Sequence, residues 1–161
     1  MRCIPCRSTM LLAAIIYQLP TCSKAEETAK VATKVEFYAA YREPAEGLVE
    51  KIMSTEETGD KKRRTVYLDP KPAISNNDIQ DMKAGLDPEF RPVILVLLTE
   101  SGGAKMKQLS MQQLDKLIAI VINGEVVTAP TVRSEIGREC QITGFFKEEW
   151  VEKIVAQFHQ K

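Results

Sequence analysis

The sequence has 161 residues, 44% of them hydrophobic, with 22 basic side chains, 22 acidic side chains and a single histidine. Balanced charge excludes the strongly basic surface that general nucleic-acid binding needs. Length and apolar content suit one domain that can bury a core without disulfide or metal staples.

The amino end has the three-part pattern of a removable export signal. Arg2 and Arg7 make a positive segment, and Thr9–Leu19 is an apolar run of 11 residues. Ser23-Lys24-Ala25 then supplies small residues before a cleavage point between Ala25 and Glu26. The run is shorter than the roughly 20 residues a membrane-spanning helix requires. The expected organisation is a signal peptide over 1–25, a flexible leader over 26–34 and one domain over 35–161. A lipid anchor at Cys22 is the variant reading, although Pro20 and Thr21 are poor residues before a lipidated cysteine. Cleavage leaves 19 basic against 22 acidic residues, a net charge of −3, and only Cys140 of four cysteines. One thiol cannot form an internal disulfide, whatever the compartment allows. Cys3-x-x-Cys6 lies in the discarded segment and reads as chance.

Val35–Tyr41 alternates, with Val35, Phe37, Ala39 and Tyr41 on one face, and reads as a strand. Glu43–Lys51, with Pro44 and Gly47, reads as a turn and short connection. Ser54–Arg64 is charged around Gly59 and reads as a solvated loop. Thr65–Leu68 is a short strand stopped by Asp69-Pro70 and Pro72. Ser75 opens a predicted helix through Ala84, with Asp78 completing an approximate capping box. Val93–Leu98 is continuously apolar, the pattern of a strand covered on both faces. Thr99 caps a predicted helix to about Lys116, with Met106, Leu109, Leu114 and Leu117 inward. Ile118–Ile122 is a second all-apolar strand. Asn123-Gly124 then gives the strongest hairpin signal, returning the chain into Val126–Thr128. Gln141–Thr143 is a last short strand. Lys147–Phe158 is a final helix with Trp150, Val151, Ile154, Val155 and Phe158 inward.

These elements predict an α+β fold, a mostly antiparallel sheet with about three helices packed on one face, as a ferredoxin-like variant. The all-apolar strands need cover on their second face, which the amino-terminal strand pair can supply; otherwise a partner must.

From Leu98 onward a longer pattern stands out. Leu98-Thr99, Gly102-Gly103, Met106 and Leu109-Ser110 open it. Leu117 to Pro130 forms a strand–turn–strand ending in Ala129-Pro130, and Gln141-Ile142-Thr143-Gly144 with Glu148-Glu149 closes it. Together these residues resemble the head subdomain of the large extracytoplasmic domain of SecD, a subunit of the bacterial protein-export machinery. A weaker match upstream takes in Glu46-Gly47-Leu48, Val66-Tyr67-Leu68 and Ile74–Ile79. The sequence departs from the family pattern in several places. Gln113 and Asp115 stand where the family usually has asparagine and glycine, and Asn123 replaces an aspartate. Trp150 takes a place often held by alanine, and Arg138-Glu139-Cys140 alters a glycine-rich loop. The translocase's membrane helices have no counterpart in this sequence. The resemblance therefore implies a stand-alone binding module that contacts unfolded polypeptide or an envelope or translocase protein.

The motif residues Thr99, Gly102, Gly103, Asn123, Gly124, Ala129, Pro130, Gln141, Thr143 and Gly144 read mainly as scaffold. Asn123-Gly124 is what a type I′ turn demands, and Pro130 ends a strand by removing a donor. Ser101-Gly102-Gly103 at a helix start could hold an anion, but capping is the plainer account. His159 lies near the carboxyl end, so a Cys140–His159 dyad has little to support it. Asp78 with Asp81, and Glu149 with Glu152, share predicted helical faces and read as solvated pairs. Lys61-Lys62-Arg63-Arg64 could touch anionic headgroups, but Glu56, Glu57 and Asp60 flank it and favour a solvated hairpin loop. No nucleophile elbow, phosphate loop or dinucleotide fingerprint occurs. The expectation is a non-catalytic exported protein, periplasmic or extracellular, with no cofactor and no metal, which binds extended chains by strand addition. The alternatives are a small envelope hydrolase or transferase with a cryptic site, or a structural lipoprotein.

Overall fold

A computed structural model of the chain describes residues 33–57 and 60–160, with side chains described outside 54–62. The expected signal peptide over 1–25, the Ala25–Glu26 cleavage point, Cys22 and the leader up to residue 32 lie outside the described residues.

The strands are β1 (Val35–Tyr41), β2 (Val49–Glu57), β3 (Asp60–Leu68), β4 (Ile79–Leu86), β5 (Pro92–Leu98), β6 (Leu117–Ile122), β7 (Glu125–Thr128) and β8 (Glu139–Ile142). The helices are α1 (Glu100–Gln112) and α2 (Glu148–Phe158), and a 3-10 turn at Asn76–Asp78 leads into β4. The fold is α+β, as expected, but it has two sheets where one was anticipated. Five strands run in the order β2-β3-β1-β6-β7 and three in the order β4-β5-β8, and every strand pair is antiparallel.

One core lies between the two sheets and the helices. Val35, Phe37 and Ala39 of β1 meet Ile118, Ile120 and Ile122 of β6, Ile94, Val96 and Leu98 of β5, and Val151, Ile154 and Phe158 of α2. Each of these side chains larger than Ala39 contributes about 1.5–3 kcal/mol on burial. A second cluster lies on the other face of the larger sheet. There β3 keeps register with β1 only at Ala40 and Tyr41, while pairing with β2 along its whole length. The β2–β3 ribbon thus leaves the sheet plane, and its Met53, Val66 and Leu68 cover Ala40, Leu117, Ala119 and Val121. All six residues of β6 are buried as a result. The amino-terminal ribbon therefore provides the second-face cover that an all-apolar strand requires.

Five expectations about single elements are corrected. The helix expected from Ser75 is the 3-10 turn followed by strand β4. A bulge at Gln80 puts Ile79 and Met82 on one face three residues apart, which imitates helical spacing. The charged loop over Ser54–Arg64 is paired ribbon, with Ser54 opposite Arg63 and Glu56 opposite Lys61. Backbone pairing between two strands needs no apolar alternation, and the connection expected to reach Lys51 ends where β2 begins at Val49. Helix α1 stops at Gln112, because the chain turns through Asp115 at φ 60°, and this leaves Leu114 half exposed. Strand β5 is fully buried on one face only; on the other Val93 is buried but Leu95 is 42% exposed.

Candidate functional site

The three-stranded sheet has two edges, and its hydrogen bonds distinguish them. Thr99 N–H donates to the Asp78 carbonyl on the β4 side, while Leu98 N–H donates to the Arg138 carbonyl on the β8 side. Alternation along an antiparallel ladder then assigns every backbone direction. Ile94 and Val96 face β8, so Ile142 and Cys140 complete the ladder, and the N–H and C=O of Glu139 and Gln141 point away from the sheet. No backbone group among the described residues bonds that outer side.

The β4 edge is treated differently. Met82 N–H donates to Asp81 Oδ1 at 2.9 Å, and the Met82 carbonyl lies 2.8 Å from His159 Nε2. Side chains thereby occupy the middle of that edge. In the larger sheet, β2 and β7 curl toward each other until their Cα atoms come within 8 Å. Inserting a strand between them would need two spacings of about 4.8 Å each. The open edge is β8.

Beside that edge lies a cavity of about 210 Å³ between β8 and the 130–136 segment. Its apolar floor comes from Phe37, Met106, Ile118 and Ile120, and Gln141, Thr143 and Pro130 stand on its walls. A second cavity of about 380 Å³ shares Pro130 and Thr143 with the first and continues past Ala129, Gly144 and Phe145 to Met53, Arg64 and Arg91. The two cavities adjoin at Pro130 and Thr143 and are together called the groove. Five motif residues from two segments, Ala129 and Pro130 and then Gln141, Thr143 and Gly144, converge on it.

The other motif residues lie elsewhere. Thr99 Oγ1 accepts from Gly102 N–H at 3.0 Å, and its carbonyl accepts from Gly103 N–H at 2.8 Å. Both glycine donors are committed to the cap, so this helix start is not set up to hold an anion. A Cβ on Gly102 would overlap the Asp78 carbonyl, and one on Gly103 would overlap Arg138. Asn123 and Gly124 turn the β6–β7 hairpin at φ 52° and 87°. Asn123 also exchanges hydrogen bonds with Lys34, through its side-chain oxygen and its backbone N–H. Pro130 supplies a carbonyl to Ile118 N–H.

Two acidic side chains have structural partners. Asp78 is buried, which alone would raise its pKa, but Lys105 Nζ at 2.6 Å and the Ser75 N–H and hydroxyl outweigh that and hold it below the usual range. Asp81 lies in the β4 edge, 3.5 Å from His159. Cys140 faces the core, where burial pushes its thiol up to about 12. A thiol at that pKa is protonated at neutral pH and is a poor nucleophile. His159 caps β4 and Cys140 belongs to β8, so the whole of β5 separates the two. No group of three or more His, Cys, Asp or Glu among the described residues could hold a metal.

Arg133 and Phe145 were not anticipated in the groove, and Arg64 was read only as part of the basic run Lys61-Lys62-Arg63-Arg64. These three groove residues come from separate segments and carry no shared spacing, so only the tertiary fold brings them together.

The family model described as SecDF, P1 head subdomain, matches residues 50–159. The chain belongs to that family. Among curated relatives, the protein translocase subunit SecD of Acidaminococcus fermentans is 36% identical over 72 residues, covering 44% of this chain and 17% of that protein. Protein translocase subunit SecDF of Thermus thermophilus is 32% identical over 84 residues, 52% of this chain and 11% of its own length. The chain thus spans less than a fifth of these relatives. A crystal structure of SecDF in its super-membrane-facing form aligns with TM-score 0.62 and 23% identity over 80% of this chain and 19% of that one. A structure of SecDF, a membrane component that enhances protein export, aligns with TM-score 0.61 and 22% identity over 88% of this chain and 70% of that one. These structures share the head subdomain's fold. No helix among the described residues is long and apolar enough to cross a membrane.

Proposed function

We propose that this head subdomain is a non-catalytic extracytoplasmic binding module that works in protein export. It holds unfolded polypeptide, or an extended segment of an envelope or translocase protein, as an added strand on β8. The observation that carries this reading is the unpaired outer edge of Glu139 and Gln141, with Gln141 lining an apolar groove. Backbone pairing supplies affinity without demanding a sequence, and the apolar floor takes alternate side chains. A site that must accept many polypeptides needs that tolerance. The signal-like amino end over 1–25, with its cleavage point at Ala25–Glu26, would deliver the domain outside the cytoplasmic membrane. The relatives named translocase subunits, and the one described as enhancing protein export, support an export role. The protonated Cys140, its separation from His159 and the committed N–H groups of Gly102 and Gly103 favour binding over chemistry.

The test is Gln141→Pro. Proline there deletes an outward donor and leaves the Cys140 and Ile142 pairings to β5 in place. Affinity for a reduced, permanently unfolded polypeptide should fall roughly 3- to 10-fold, the worth of one backbone hydrogen bond. Cys140→Ala should bind like the parent. Unchanged binding by a folded Gln141→Pro variant would refute strand addition at β8.

A further inference from the structure

We propose that the groove prefers extended segments carrying an acidic side chain, with the carboxylate seated beside Arg64 at the Thr143–Phe145 end. This rests on the polypeptide-binding reading and names the class of segment the site selects. The argument is one of charge. The charged side chains lining the two adjoining cavities are Arg64, Arg91, Arg133 and Asp87. Asp87 is committed to Arg91, whose Nε lies 2.6 Å from its carboxylate, and Arg91 also reaches Glu89 at 2.8 Å. Arg133 pairs with Asp115 at 2.8 Å, but both side chains are more than 70% exposed, so water and salt screen that pair.

Arg64 differs from these. It is exposed and makes no hydrogen bond or ion pair among the described residues, and it lines the same cavity as Phe145, itself 57% exposed. Its guanidinium is therefore available to a ligand, with five donors in a fork that suits a carboxylate. The whole chain has a formal charge of zero, yet its groove lining carries three cations against one committed carboxylate. An apolar floor at one end and a free guanidinium at the other describe a complementary occupant. It is an extended chain with alternating apolar residues and an acidic residue at its flank. A basic residue at that flank would meet like charge.

The experiment uses three nine-residue fluorescent peptides with one alternating valine–threonine core and Glu, Gln or Lys at both ends, at low ionic strength. The parent protein should bind them in the order Glu, Gln, Lys, with steps of about two- to fivefold, the scale of one partly exposed ion pair. In Arg64→Gln, with its melting temperature unchanged, the three should bind alike, and the Gln peptide should bind as it does to the parent. Added salt should compress the parent's order and leave the variant's binding unaltered. Equal binding of the three peptides by the parent, or an acidic preference that survives Arg64→Gln, overturns the charge preference while strand addition stands. Failure of the parent to bind any of the three overturns the polypeptide-binding reading itself, and the preference with it.

Discussion

The carbonyl oxygen of Asp78 occupies the space where a Cβ at position 102 would have to stand. Gly102 thus lets the start of α1 close onto the turn before β4, and the same turn receives Thr99 N–H at 2.9 Å. By helix propensity alone, Gly102→Ala should stabilise α1 by up to about 1 kcal/mol. We expect it instead to destabilise the domain by about 1–3 kcal/mol, because backbone cannot yield as a side chain can. Urea unfolding measures the difference, and a stabilised variant would show that α1 and the turn are less tightly joined.

Asp115 holds a backbone φ of 60°, in the region that favours glycine, and its side chain pairs with Arg133 on the surface. Glycine is also the residue that resemblance to the family leads one to expect there. Asp115→Gly relieves strain and loses only a screened ion pair, so stability should stay within about 0.5 kcal/mol of the parent or rise. Asp115→Val should cost about 1–2 kcal/mol, since a β-branched side chain tolerates this φ poorly. Equal melting temperatures for the two variants would contradict this.

Asp78 gives the domain an acid-sensitive joint. Burial opposes its charge, but Lys105 and Ser75 win and keep its folded pKa below the ordinary 3.8. The unfolded state therefore binds more protons between the two values, and stability rises with pH across that window. The contribution is fully present above about pH 4 and is lost as pH falls through the folded value. Asp78→Asn should lower stability at neutral pH by about 1–3 kcal/mol. It should also flatten the decline in stability as pH falls below about 4. An acid limb as steep as the parent's would place the sensitivity elsewhere.

The parts of the fold that sequence made legible are those whose signals are local. The Asn123-Gly124 turn with its apolar strand, the Thr99 cap and the inward face of α2 each announce themselves within a dozen residues. What stayed hidden depends on distant partners. Strand β4 resembled a helix because the bulge at Gln80 restored a three-residue spacing of Ile79 and Met82. The β2–β3 ribbon resembled a loop because cross-strand pairing, not apolar alternation, holds its charged end. The groove was half legible: Ala129, Pro130, Gln141, Thr143 and Gly144 stood out as a motif. Their shared position beside a free edge, and the role of Arg64, arise only when the two sheets meet.

The central claim is that an extended chain adds to the outer edge of β8. Backbone hydrogen–deuterium exchange, read residue by residue with and without a saturating unfolded polypeptide, tests it most directly. The outward amides of Glu139 and Gln141 should slow severalfold on binding. The inward amides of Cys140 and Ile142, and that of Met82, which Asp81 already holds, should change little. Protection that appears along β2 or β4 while Gln141 exchanges as fast as in the free protein would contradict the account.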